Sequence, residues 1–225
     1  RLIGESAGKE WREGRTIMEA MLAAVNATLA GAILAPEHGA MQMIVPVLKP
    51  MMLGHMPGDY RDVTLTSNEE KVFAKMLELR LREVVEELGI LDSCQHGFRE
   101  GLSCDTALWS LMSVIEREAL LRKGKLFLVF WDVQKAFPST WRERLIHQLV
   151  EYGIEGNLLD AVLRSGALNY VRYVRVKGAT GDELVPDELI VDERGLSTGH
   201  VLSPLLYLIE SNDMPGFLRD CAIDG

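Results

Sequence analysis

The amino-acid sequence predicts an α+β fold in which helices outnumber strands, and three observations carry that reading. Long stretches place apolar residues three and four positions apart, as on one face of a helix. Shorter runs are rich in Val, Ile and Phe, as in strands. Capping residues and glycines mark the ends of both kinds of segment. Neither an internal repeat, nor a low-complexity tract, nor a linker divides the 225 residues cleanly, and 48% hydrophobic with 25% charged residues is an ordinary globular composition.

Residues 15–30 read as a helix with Ile17, Met21, Val25 and Leu29 on one face. The apolar segment Ala20–Pro36 is short for a membrane span and is interrupted by Asn26, Thr28 and Gly31, so no span is expected. Met43–Leu48 predicts a short strand ending at Lys49-Pro50, and residues 51–59, with Gly54, Pro57 and Gly58, predict a loop. Ser67 followed by Glu70 is the signature of a capping box. It opens a helix whose apolar face holds Val72, Phe73, Met76, Leu77, Leu81, Val84, Val85 and Leu88, with Gly89 in the stop position.

A second helix is expected over about 104–122, with Leu108, Leu111, Met112 and Ile115 inward and a stop at Gly124. The run Phe127-Leu-Val-Phe-Trp131 predicts a buried strand. Helices follow at about 140–152 and 156–167, separated by Gly153. Residues 170–176 alternate Tyr and Val with Arg, which predicts a half-exposed strand; a turn at 178–182 and a strand at 184–191 complete a hairpin. Gly195–Gly199 forms a tight loop, and Leu202–Leu208 starts a final apolar helix.

The formal net charge of -9 argues against a chain that coats itself in nucleic acid by bulk electrostatics. Contact with RNA or an RNA/DNA duplex would have to be local, or be shared with other protein subunits. Three cysteines, Cys94, Cys104 and Cys221, are too few and odd in number for a disulfide framework, and point to a reducing, intracellular setting. Cys94, His96 and Cys104 do not have the spacing of two closed zinc-ligand pairs. The chain begins at Arg1 rather than Met, the expectation for a processed or partial product.

Asp132 follows the Phe127–Trp131 run directly. A carboxylate at a strand exit caps the next turn, or handles a metal or phosphate from a rigid but wet position. The residues alone leave both readings open.

Four segments, in order over roughly 42–213, resemble the reverse transcriptases of non-LTR retroelements and, more distantly, those of group II introns. Ile44-Val-Pro-Val-Leu-Lys49-Pro with Tyr60-Arg61-Asp-Val-Thr-Leu65 is similar to the fingers block. Leu79-Arg80-Leu81 with Gln95-His-Gly97-Phe98-Arg99-Glu-Gly101-Leu-Ser103 looks like the block that touches template. Phe127–Phe137 is similar to the palm motif carrying the first metal-binding aspartate, and Gly195-Leu-Ser-Thr198-Gly199-His-Val-Leu202-Ser203-Pro204 to the loop and helix that support nucleotide and template. Asn212-Asp213 echoes a frequent continuation.

The resemblance implies a right-hand polymerase fingers and palm fragment, helix-rich with a small antiparallel palm sheet. It divides the chain into an N-terminal helical extension (1–41), a fingers-like region (42–124) and a partial palm-like region (125–225). It implies Asp132 as a catalytic residue and Mg2+ ligand, with the Val133 backbone beside it. Lys49, Arg61, Phe137 and Gly199 take nucleotide-binding roles by the same resemblance, Phe137 excluding a ribose 2′-hydroxyl. Gln95, Gly97, Phe98 and Arg99 take template-binding roles.

The departures matter as much. Two-ion polymerisation needs carboxylates on neighbouring strands, and the family's Tyr-x-Asp-Asp pair does not occur in these 225 residues. One carboxylate cannot hold two magnesium ions against their hydration. Thr198 stands in place of a glutamine, Pro138 in place of an aspartate, and His200 in place of a small residue. The expectation is a module of RNA-directed DNA polymerase ancestry that is inactive as this chain and serves as a structural or binding subunit of a larger assembly, such as a ribonucleoprotein. The alternative is a fragment of an active retroelement polymerase whose remaining palm and thumb lie elsewhere.

Overall fold

The structure is a computed structural model describing residues 41–122, 124–174, 176–177, 183–184 and 189–220, with 19, 22, 23, 26 and 27. Those five early residues are helical, but the predicted apolar face of Ile17, Met21, Val25 and Leu29 lies outside the described residues, as do the turn at 178–182 and Cys221.

Strand β1 (Met41–Leu48) turns back through a hairpin into β2 (Tyr60–Leu65), paired antiparallel from Met43↔Leu65 to Leu48↔Tyr60. Helix α1 (Asn68–Glu87) starts where the capping signal places it, with the Ser67 hydroxyl accepting the Glu70 amide at 3.1 Å. It ends at Gly89, whose φ of +61° suits a residue without a Cβ. Phe73, Leu77, Leu81 and Val85 recur on its inner face and are buried. Helix α2 (Cys104–Ile115) opens on a reciprocal Ser103–Thr106 capping box and runs on as a π-helical turn over Glu116–Leu121.

The short α3 (Ala136–Ser139) leads into α4 (Arg142–Glu151) and α5 (Gly156–Arg164). Then come β3 (Val171–Val174), β4 (Val176–Lys177), β5 (Glu183–Leu184) and β6 (Ile190–Val191), followed by α6 (Ser203–Glu210) and α7 (Met214–Asp220). One core cluster joins α1 residues to Leu145, Leu149, Ile154, Val162, Leu196, Leu202, Leu205, Leu206 and Ile209, so residues on both sides of position 124 share it. Among the described residues no helix is long and apolar enough to cross a membrane.

Three expectations are corrected. The main sheet has the order β2-β1-β3-β6 and is mixed: β1 pairs parallel with β3, whereas β3–β6 and the separate β4–β5 pair are antiparallel. A parallel neighbour is possible because the long helical stretch between β1 and β3 carries the chain back to the same end of the sheet. Leu108 and Met112 of α2 are exposed and no α2 residue is buried, because no described element packs over that face. Phe127–Trp131 is not a strand. It has no regular structure and is uncovered, with Phe127 85% and Phe130 81% exposed. β structure requires a partner edge, and among the described residues none lies beside this run.

Candidate functional site

Asp132 and Val133 are exposed on the irregular segment that leaves Trp131. Lys135 then adopts φ +51°, an uncommon left-handed conformation for a non-glycine residue, and starts α3. Phe137 on α3 is half-buried and meets Tyr207 of α6 edge to face, with ring centroids 5.5 Å apart at 72°. Burial, with the nearby Glu210 carboxylate, pushes the Tyr207 hydroxyl above its ordinary value.

The Gly195–Gly199 turn lies against α3. The Gly195 amide donates to the Thr140 carbonyl at 2.9 Å and the Leu196 amide to the Phe137 carbonyl at 2.7 Å. Thus the segment after Asp132 and the turn holding Gly199 are hydrogen-bonded to each other. Gly199 has φ +92°, and a Cβ there would stand 3.0 Å from the Thr64 carbonyl of β2. Glycine at 199 is therefore favoured both by conformation and by the close approach of the β1–β2 hairpin.

Lys49 and Arg61 are carried on that hairpin. Lys49 Nζ donates to the Gly58 carbonyl at 2.7 Å, latching the loop, while Arg61 is exposed on β2 opposite Val47. The loop tip turns Met51, Leu53 and Met56 to solvent, which composition alone did not foretell.

Gln95, Gly97, Phe98 and Arg99 sit together on the loop between α1 and α2. Arg99 forks onto Glu86 at 3.1 and 2.7 Å, and donates to the Asp92 and Gln95 carbonyls at 3.1 and 3.4 Å. Its side chain is only 16% exposed, so the guanidinium organises the loop. Gln95 reaches Ser211 at 3.5 Å, and Gly97 is exposed. Phe98 takes φ +55° and is turned outward, its carbonyl accepting Arg82 at 2.7 Å. Asn212 anchors the loop from below, accepting the Asp92 amide at 2.8 Å and donating to the Ile90 carbonyl at 2.7 Å. The Cys94 amide donates to Asp92, and the His96 ring is hydrogen-bonded to the Thr106 hydroxyl at 2.8 Å.

Sequence reasoning missed two sets of residues. Arg142 grips the approach to the turn, donating to the Gly195 and Asp192 carbonyls at 2.7 and 2.8 Å with its guanidinium 5.1 Å from the Tyr170 ring centre. Burial, and the Asp192 charge after it, raise the Tyr170 hydroxyl above its ordinary value. A cavity of about 430 Å³ opens beside them, lined by Pro138, Tyr170, Arg172, Asp192, Arg194 and Leu196 among others. The second set is a buried polar cluster of Gln42, Glu70, Ser197 and His200. Its sequence signals were Glu70 in the capping signature and His200 in place of a small residue, and neither hinted at a distant partner.

A pair of magnesium ions needs several carboxylate donors close together. Asp132 supplies a single carboxylate, and among the described residues no group of three His, Cys, Asp or Glu side chains is placed to hold a metal ion. The described residues do not supply the carboxylates of a two-ion centre.

The family model described as "Reverse transcriptase (RNA-dependent DNA polymerase)" matches residues 47–223. The chain is 30% identical over 186 residues to the "Probable RNA-directed DNA polymerase from transposon BS" of Drosophila melanogaster, covering 80% of this chain and 19% of that protein. It is 25% identical over 182 residues to the corresponding protein from the transposon X-element of the same species, covering 80% and 19%. It is 30% identical over 166 residues to the "Retrovirus-related Pol polyprotein from type-1 retrotransposable element R2" of Nasonia vitripennis, covering 72% and 15%. The chain thus spans about a fifth or less of the length of these relatives. With a family match over most of its length and four motif blocks in order, this chain belongs to the reverse transcriptase family, of the kind found in non-LTR retrotransposons.

Proposed function

We propose that this chain is a reverse-transcriptase module that does not polymerise by itself and serves as a structural or binding subunit of a larger assembly. The observation that carries this reading is the disposition of two of its cations. Lys49 is bonded to the Gly58 carbonyl, and Arg99 is held by Glu86 and two backbone carbonyls. A cleft that binds duplex needs such groups turned toward phosphate. The absence of Tyr-x-Asp-Asp from the sequence and the lone Asp132 carboxylate support the same reading.

A second reading rests on the uncovered Phe127–Trp131 run. Five consecutive large apolar residues with open backbone edges suit the interior strand of a larger sheet. Here the chain is part of an active RNA-directed DNA polymerase, completed by further palm and thumb, with Mg2+ held jointly by Asp132 and carboxylates supplied there.

Primer extension on an RNA template with magnesium, comparing this chain with Asp132→Ala, tests the first reading. No extension by either protein is expected, and extension lost in Asp132→Ala would overturn it. Binding of template–primer duplex against salt adds a second measure. A shallow slope is expected from few phosphate contacts, whereas a steep one would reveal a working cleft.

A further inference from the structure

The cluster buried between α1, β1, the Ser165–Ala167 turn and the Gly195–Leu202 segment has a directionality that its hydrogen bonds define. The Leu202 backbone amide, which can only donate, points at His200 Nδ1 at 3.2 Å. Nδ1 must therefore offer its lone pair, which places the ring proton on Nε2. Nε2 lies 2.9 Å from Glu70 Oε1, and that same oxygen accepts the Gly166 amide at 2.8 Å. Glu70 and His200 side chains are 2% and 1% exposed, so water competes for neither.

A parallel string runs beside it. Gln42 of β1 donates to the Gly166 carbonyl at 2.6 Å and accepts the Ser197 hydroxyl. Ser203 donates to the Ser197 carbonyl at 2.7 Å, closing the turn onto the start of α6. Gly166 is the point where the strings meet. A Cβ there would stand 2.9 Å from Glu70 Oε1 and 3.0 Å from Gln42 Nε2, so both side chains pack directly against the Gly166 backbone.

We propose that Glu70 and His200 are positioning residues: the Nε2–H tautomer of His200, donating to Glu70, fixes the Gly195–Gly199 turn relative to α1 and the β1–β2 hairpin. The turn has little other freedom, because Gly199 already abuts the Thr64 carbonyl. A displacement of α1 is passed to Gly199 through two side chains whose hydrogen bonds are short and buried. The coupling stands on geometry alone. Only its consequence, that α1 sets how the turn meets a nucleotide or template strand, rests on the function proposed above.

The test uses the full chain and two readouts. A long-range proton–nitrogen correlation on the 15N-labelled protein, with the ring assigned through the Leu202 amide, reads the tautomer directly. A proton on Nε2 is expected, and one on Nδ1 overturns the proposal whatever the variants do. Amide exchange is then compared at Gly166 in His200→Gln and His200→Asn. Glutamine can present an N–H near the Nε2 position, whereas asparagine reaches only the Nδ1 position. Exchange at Gly166 should stay near the wild-type rate in His200→Gln and rise about tenfold or more in His200→Asn, with Leu81 and Val85 unchanged in both. Equal exchange at Gly166 in the two variants overturns the proposal. Primer extension that is lost in Asp132→Ala, with both readouts as expected, would remove the proposed function and leave the coupling.

Discussion

Gly195 and Pro138 are in backbone contact so close that a Cβ at position 195 would stand 2.5 Å from the Pro138 carbonyl oxygen. Gly195 also has φ +89°, a conformation that side-chain-bearing residues rarely adopt. The two residues are separated by more than fifty positions, yet they join the segment after Asp132 to the turn that holds Gly199. A change at either is felt at both.

Gly195→Ala should therefore destabilise the fold by about 2–3 kcal/mol, through combined backbone strain and overlap. Urea denaturation measures it, with an unchanged slope expected for a local defect. A loss within about 0.5 kcal/mol would mean that the two segments separate freely.

Two apolar residues should behave in opposite ways. Leu206 is fully buried in the core cluster, so Leu206→Ala should cost about 2–5 kcal/mol. Phe130 is 81% exposed, so Phe130→Ser in the isolated chain should change stability by no more than about 0.5 kcal/mol. It should instead lower binding of an apolar dye and slow aggregation. A large stability loss at Phe130 would mean that the run is covered in solution, for example by self-association.

Arg99 distinguishes loop scaffolding from nucleic-acid contact. Its fork meets Glu86 twice and two carbonyls besides, which a lysine cannot reproduce. Arg99→Lys should lower stability by about 1–2 kcal/mol and open residues 92–99 to proteolysis. Unchanged stability with weaker duplex binding and a reduced salt slope would assign Arg99 to phosphate instead.

Asp92 predicts a pH signature. The Arg219 guanidinium first, and then the Cys94 backbone amide, hold its carboxyl down to about 2. A folded-state value below the unfolded one contributes stability above the unfolded carboxylate range, and that contribution disappears as pH falls through the folded value. The Tm difference between wild type and Arg219→Ala should be present at neutral pH and close between about pH 4 and about pH 2. A difference that is constant over that window would show that Arg219 acts through packing alone.

Local signals in the sequence were read correctly where the forces are local. The Ser67 cap, the α1 apolar face from Phe73 to Val85, the Gly89 stop and the β1 strand end at Lys49 all depend on residues within a turn or two, whereas Val72 and Leu88, expected on that face, are exposed. The same pattern misleads at Val72, Leu88, Leu108, Met112 and Phe127–Trp131, apolar positions that are exposed. Pattern states which face needs covering, and only a neighbouring element can cover it.

The candidate site divides along the same line. Sequence by itself determined the family, the order of the four blocks, the absence of a Tyr-x-Asp-Asp pair and the glycines that a tight turn needs. Tertiary structure alone decided that Arg99 and Lys49 bond inward, that Arg142 grips the Gly195 turn, and that Glu70 meets His200 across 130 positions of chain. Caps and periodicity act through neighbours in the chain, whereas a buried carboxylate finds its partner only when distant segments have packed and excluded water.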